Sequence, residues 1–525
     1  MKLFLKKSLC GLFIFALGVG LIGCGKKETP KTPDQPTTNN EGSTTNQGGT
    51  NKETEEPGVD LSKQDPVTLE VYALTFQSTE PGSTKNIEKA LNEYLEPILN
   101  TKVHLNIIPY ASYGQQLTLL LSGSEQADLI MGTASIVTNY VAAGGVVQLD
   151  DAIANYGAGI VDAVGTQVLD ASKINDSLFA VPTNRDFASA YGFMYNKDLN
   201  ERYNLGLENA TDFDALSKAF EKLHAAAPEI TCVQLNATAP AFGSWSWDSL
   251  GNQFGVLMDR GATLNVENLF ASEEYKEIIN QMRTWYQLGY INQDALTTTV
   301  PANDLMAEEK VLGYFVNYNP AVSYFSASYK VPMGMSILVD PYISSVSYLG
   351  ASWMVGRNTV DVDRAIQFMN LMYSDEKVYN LLTYGVEGED YIFVDKEQGI
   401  IDYPEGVTAE NSTVEHSNWM WGNEFIGYVW NGDNPDIWEA VREYNASGFV
   451  SKASGFNFDP SNVQNEIAAC TNVVGKYRIG LEIGAVDPEE VLPQFLKELE
   501  QNGINAIIEE KQQQLNDWAQ KKGIQ

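Results

Sequence analysis

The stretch from Val67 to Met131 constrains the fold more than any other part of the chain. Val67 to Leu74 (VTLEVYAL) alternates apolar and polar residues and is rich in β-formers, the pattern of a half-buried strand. Asn86 to Leu99 then sets Ile87, Leu91, Tyr94, Leu95 and Ile98 at helical spacing. Val103 to Ile108 reads as a second strand, Tyr113 to Ser122 as a second helix, and Ala127 to Met131 as a short buried strand. Strand–helix alternation of this kind predicts a parallel sheet covered by helices on both faces. With 525 residues the chain is too long for one ordinary core, so the α/β body from Pro66 onward is expected to divide into two lobes. Open α/β sheets take ligands at the carboxyl ends of their strands, and pockets favour the boundary between domains.

Further along, the helical period returns at Asp212 to Ala226 (after Thr211 as a cap), at Ser272 to Leu288, at Asp361 to Tyr373, and at Pro488 to Asn502 and Ala506 to Lys521, broken at Gly503. Short strands are predicted at Phe179 to Pro182, Gly192 to Tyr195, Leu312 to Val316 and Trp353 to Gly356. No internal repeat is evident.

The beginning of the chain is of another kind. Lys2, Lys6 and Lys7 precede an uncharged run, Leu9 to Gly23, of about 15 residues, shorter than the ~20 a spanning helix needs. A secretory signal fits better. Its end, Leu21-Ile22-Gly23-Cys24, resembles the bacterial lipobox, which implies cleavage before Cys24 and acyl chains on that residue; two or three chains hold a protein on a membrane where one does not. The formal GxGxxG at Gly18, Gly20 and Gly23 lies inside this segment, with no βαβ unit around it, and carries no dinucleotide site. Residues 25–64 contain no aromatic residue and only Val59 and Leu61 as large aliphatics. They cannot bury enough apolar area to offset ordering. They read as a tether with a reach on the order of 35 Å. The other cysteines are Cys10, Cys232 and Cys470; whether the last two pair is open, and no CxxC exists.

Charge excludes more than it identifies. The formal net charge is −34, with 68 acids against 34 Lys and Arg. The first 23 residues hold three Lys and no acid, and residues 25–64 five Lys against seven acids, so about −35 falls on the rest. That argues against nucleic acid and against docking through a polybasic patch. It makes a strongly anionic ligand unfavourable as well. No catalytic or metal motif stands out. His104, His224 and His416 lie in no HExxH or HxH context, and no GxSxG, P-loop or EF-hand pattern occurs. No cofactor and no metal are expected.

Aromatic placement is distinctive. Trp245 and Trp247 precede Asp248, and Trp419, Trp421, Trp430 and Trp438 cluster with Asn418, Asn423, Glu424, Asn431 and Asp433. Rings that cover the C–H faces of a pyranose, beside planar polar groups that bond its hydroxyls, make a sugar site; the same rings equally fill cores. Trp285 and Trp438 sit on helical stripes and read as core.

Several segments together resemble the family 1 extracellular solute-binding proteins of ABC importers. They are Ala180-Val181-Pro182 leading into a crossover, Tyr195-Asn196-Lys197-Asp198-Leu199 ending the next strand, GYFVNYNP at 313–320 and GASWMVGRNTVDVDRAIQFM at 350–369. From Ser417 the chain is similar to the DUF3502 domain of a lipoprotein branch. The resemblance implies a two-lobed periplasmic-binding-protein-like fold with a hinge and an interlobe ligand cleft. The expected organisation is signal 1–23, lipidated Cys24 and tether 24–64, a two-lobe core 66–416 crossed near 183–190 and again near 320–355, and a C-terminal region 417–525 packed on the lobes. It also implies a lipid-anchored monomer on the extracellular face of a bacterial membrane. That protein closes on a carbohydrate, an oligosaccharide above all, and delivers it to permease subunits without catalysing a reaction. Ligand contacts are expected from Asn184, Arg185, Asp186, Trp247, Asp248, Tyr318, Asn319, Trp353 and Trp421, with Trp353 first for stacking; an ion pair between Arg185 and Asp186 is the structural alternative. A binding protein for peptide or another polar solute, a glycan-active surface enzyme and an adhesion scaffold are the rivals.

Overall fold

The computed structural model describes residues 65–524 apart from 78–79, 238–241, 243–244, 299, 301, 321–330 and 409–410. The signal, Cys24 and the tether lie outside the described residues. Along the chain the strands are β1 (Val67–Thr75), β2 (Thr101–Pro109), β3 (Leu129–Gly132), β4 (Ala180–Pro182), β5 (Ser189–Asn196), β6 (Thr231–Val233), β7 (Val256–Leu257) and β8 (Val266–Glu267). They continue with β9 (Val311–Tyr318), β10 (Met333–Ile343), β11 (Ser352–Val355), β12 (Ile392–Asp395), β13 (Ile400–Asp402), β14 (Val429–Trp430) and β15 (Phe449–Val450).

Two five-stranded sheets organise two cores. The first has the order β2-β1-β3-β11-β4, the second β15-β10-β5-β9-β6. β1, β2 and β3 run parallel, as the strand–helix alternation predicts, and helices Thr84–Leu99 and Tyr110–Ser122 are their crossovers. The sheet is nevertheless mixed, because β11 is antiparallel to both β3 and β4. β11 comes from the second lobe and enters the first sheet from the edge where its neighbours end.

The chain passes between lobes three times: from β4 to β5, from β10 to β11, and from β14 to β15 through helix Ile437–Ser447. The first two crossings span residues 183–188 and 344–351. The third has no counterpart in the sequence-based expectation. It also divides the C-terminal region. Met420, Trp421, Trp430 and Trp438 belong to the first core, whereas Phe456, Cys470, Phe495 and Leu515 belong to the second. A single region from 417 onward is therefore not how the chain is built. Only helices Gln464–Ile483, Pro488–Gln501 and Ile504–Lys522 form the C-terminal module, packed with helix Glu273–Gln287 into the second lobe.

Local chemistry accounts for the element ends. Ser272 caps Glu273–Gln287 through Tyr275 N–H. Asp212, not Thr211, caps Phe213–Ala226, its carboxylate accepting from Ala215 N–H at 2.7 Å, since a charged acceptor suits the helix dipole. Gly503 sits at φ +94° between the last two helices, a conformation that favours glycine. Cys232 and Cys470 are buried and free, so they do not pair. Lys511, fully buried in the last helix, donates to the carbonyls of Ser249, Asn252 and Gly255 and so staples loop 249–255 to the C-terminal module. Burial pushes its ammonium well below the usual lysine range. Among the described residues, no helix is long and apolar enough to cross a membrane.

Candidate functional site

Strand register places the site. Thr75 pairs with Pro109, and Ser352 pairs with both Gly132 and Pro182. The carboxyl ends of β1, β2, β3 and β4 therefore share one edge with the amino end of β11. The first two interlobe connectors leave and enter at that same edge. An α/β sheet presents its ligand-binding loops there.

Two residues just beyond strand ends stand out. Phe76 follows β1 and Tyr110 follows β2, and they are 61% and 60% exposed. Large aromatics are seldom left in water without a use. Their centroids are 5.4 Å apart with planes tilted by 42°. Trp419, half-buried in the turn Asn418–Met420, brings a third ring 6.1 Å from Phe76. Glu415 fixes the group. One carboxylate oxygen accepts from Phe76 N–H at 2.8 Å and the other from the Thr75 hydroxyl. The segment holding Glu415 is itself tied to the start of helix Thr84–Leu99, where the Ser83 hydroxyl donates to Thr413 O at 2.7 Å.

Beside this platform lies a polar knot that joins the lobe connectors. Asn184 N–H donates to Gly422 O, Glu424 N–H to Asn184 O, and the Asn184 amide to Asn423 Oδ1. Arg185 pairs with Asp186 at 2.6 Å, and Asn319, just past β9, donates to the other Asp186 oxygen. Asn445, on the third crossing, donates to Arg185 O and accepts from Ala188 N–H. One guanidinium thus faces two buried carboxyls, Asp186 and Glu424. Burial, with Asp186 nearby, pushes Glu424 well above the usual carboxylate range, and Arg185 opposes that shift. Close approach matters at Gly422, where a Cβ would come within 2.0 Å of Met372 O.

Several residues singled out in the sequence take other roles. Trp353 has no face open to a ligand. It is fully buried, its indole N–H donates to Met420 O at 2.9 Å, and its ring stacks on Trp421 at 5.2 Å. Trp421 is buried with it in the first core. Trp247 is buried in the second core. Asp248 is fully buried too and spends its oxygens on Ser345 N–H, the Ser345 hydroxyl and Leu250 N–H, which anchors the start of the second connector. The three tryptophans share one cause, that large aromatic rings fill volume before they meet water, whereas Asp248 is held inside by its hydrogen bonds. Trp285 and Trp438 are core as expected. Asn184, Arg185, Asp186 and Asn319 gather at the hinge, and Tyr318, half-buried at the end of β9, meets Tyr444 edge-on.

Phe76, Tyr110 and Glu415 went unnoticed in the sequence. The available signal was position: Phe76 and Tyr110 each lie two residues past the end of a predicted strand, where the fold class puts ligand loops. Among the described residues, no cluster of His, Cys, Asp and Glu could hold a metal ion.

The model of a bacterial extracellular solute-binding protein matches residues 80–379, and that of a domain of unknown function, DUF3502, matches 452–520. A carbohydrate ABC transporter substrate-binding protein of Streptococcus pneumoniae is 20% identical over 452 residues, covering 84% of this chain and 90% of the relative. The crystal structure of the N-glycan transport solute-binding protein NgtS of S. pneumoniae superposes with a TM-score of 0.78 at 19% identity, over 87% of this chain and all of that one. Its complex with Man5GlcNAc gives 0.71 at 19% identity, over 88% of this chain and all of that one. These likenesses bear out the two-lobe α/β fold.

Proposed function

This chain belongs to the bacterial extracellular solute-binding protein family, and we propose from that premise that it captures an oligosaccharide for an ABC importer. The observation that carries the reading is the platform of Phe76, Tyr110 and Trp419 at the hinge edge of the first sheet. Flat apolar rings held apart by tilt suit successive pyranose faces, and the hinge amides and carboxylate of Asn184, Asp186 and Asn319 suit hydroxyls. The carbohydrate-binding relatives support the same class of ligand. The body's strong negative charge favours a neutral glycan over an anionic one.

Function follows from geometry. The connectors meet in one knot beside the platform, so a ligand that touches the platform and Tyr318 of the second lobe favours the closed arrangement and shifts the population toward it. The permease then reads closure. The protein binds and releases without turnover. It is held outside the cell by acyl chains on Cys24, and residues 25–64 let it reach the permease.

A glycan panel (high-mannose, chito-, milk- and fructo-oligosaccharides) in titration calorimetry, followed by Trp emission, tests the reading. The expected outcome is saturable heat with one glycan class and an emission change that Trp419→Phe abolishes. Heat with peptides and none with glycans would sink it. Radiolabelled palmitate incorporation that Cys24→Ser removes is expected for the anchor.

A further inference from the structure

A small cavity of about 30 Å³ borders Glu415, the residue that accepts from Phe76 N–H. Its walls are Leu74, Ile87, Leu105, Val414, Met420 and Trp421, all buried. Two hydroxyls also border it, but both are engaged: Ser83 donates to Thr413 O and Thr84 to Pro81 O. The remaining polar lining group is Glu415, which with Ile107 is half-buried while the rest of the lining is fully buried. The mouth therefore lies between Ile107 and Glu415, next to Phe76, whose N–H donates to Glu415.

Size and chemistry select the occupant. An apolar cavity of ~150 Å³ accepts a benzene ring, and a single water needs at least ~10 Å³ and two to four polar partners. The space here is far too small for a sugar ring, and its apolar walls give water few partners. It fits one methyl-sized group. At its mouth stands the Glu415 carboxylate: one oxygen accepts from Phe76 N–H and, at 3.4 Å, from the Ser417 hydroxyl, while the other accepts from the Thr75 hydroxyl and keeps a lone pair for a second donor.

We infer that this cavity is the subsite for the acetamido group of an N-acetylated hexosamine, with the methyl in the pocket and the amide N–H donating to Glu415. The inference rests on the carbohydrate reading above and deepens it. With the methyl in the pocket and the amide at Glu415, which also holds Phe76 N–H, the pyranose ring lies against the platform. A hydroxyl in place of the acetamide leaves the pocket empty. A deoxysugar methyl can fill it but brings no donor to Glu415. A carboxylated sugar meets like charge at the mouth.

Calorimetry on the full chain tests this with two matched disaccharide pairs, N,N′-diacetylchitobiose against cellobiose and mannosyl-N-acetylglucosamine against mannosylglucose. Loss of one methyl burial and one charge-assisted hydrogen bond predicts that the acetamido member binds at least about tenfold tighter. Val414→Leu, which pushes a methylene into the cavity, is expected to cut that preference below about threefold, and Ile87→Met fills the same space from the opposite wall should Val414→Leu fail to fold. Glu415→Gln is expected to weaken the acetamido sugars most. Equal affinity within each pair overturns the subsite and leaves the carbohydrate reading standing. A preference that survives in the filled variants also overturns it, as does tighter binding of a fucosylated disaccharide than of either acetamido sugar. Absence of heat with every glycan, including the wider panel, overturns the carbohydrate reading and the subsite with it.

Discussion

The two lobes use the same residue types to opposite ends. In the second lobe, Phe213, Phe220, Phe242, Trp245, Trp285 and Phe315 interlock edge-to-face and stacked, and Trp245, Trp285 and Phe242 keep almost no surface in water. In the first lobe, Trp353 and Trp421 stack in the same buried manner, yet Phe76 and Tyr110 stand more than half exposed. Ring type does not separate the two sets. What separates them is the point on the sheet from which each projects: inside a strand or helix face, a ring buries; one residue past a parallel strand's carboxyl end, it stays exposed.

That contrast can be broken experimentally. The largest effect is expected from Trp353→Ala, which empties the first core and deletes a buried hydrogen bond. A loss of about 3–5 kcal/mol in denaturant unfolding is expected. A loss below 1 kcal/mol together with impaired glycan binding would instead make Trp353 a ligand contact. Next comes the hinge. Arg185→Met leaves Asp186 and Glu424 without their guanidinium, and a cost of roughly 3 kcal/mol is expected, trimmed because Arg185 keeps some solvent contact. If Arg185 instead serves the ligand, stability stays near wild type and affinity falls.

pH probes the segment that carries Glu415. Burial lowers the adjacent His416 to about 4. The unfolded chain binds a proton near pH 6.5, whereas the folded chain resists it until about 4. Stability should therefore be fully present above pH 6.5 and decline as pH falls through that window, by on the order of 2–3 kcal/mol. His416→Gln should flatten that part of the pH–stability curve; an unchanged slope would assign it to other groups. The smallest change in stability belongs to the platform. Phe76→Ala and Tyr110→Ala are each expected to shift unfolding by less than about 0.5 kcal/mol, because both rings are exposed. Glycan affinity should fall about tenfold for each. Unaltered affinity in both would remove the platform from the site.

Much of the fold was legible in the sequence because it is local. The alternation from Val67 to Met131, the Ser272 cap and the break at Gly503 depend on neighbours a few residues away. The family likeness was legible too, through Ala180-Val181-Pro182 and Tyr195 to Leu199. The third crossing at Ile437–Ser447 was not. Its sequence is an ordinary amphipathic helix, and only the cores on either side reveal that it changes lobes.

The sequence alone determined the α/β class, the acidic body and the two-lobe likeness, because periodicity and charge are properties of the chain itself. Which aromatics stay exposed was decided by tertiary structure. Trp353 and Phe76 differ little as residues, but Trp353 lies inside β11, between β3 and β4, while Phe76 stands one residue past the carboxyl end of β1. Exposure is set by what packs alongside, and residues 340 positions apart, Thr75 and Glu415, supply that packing.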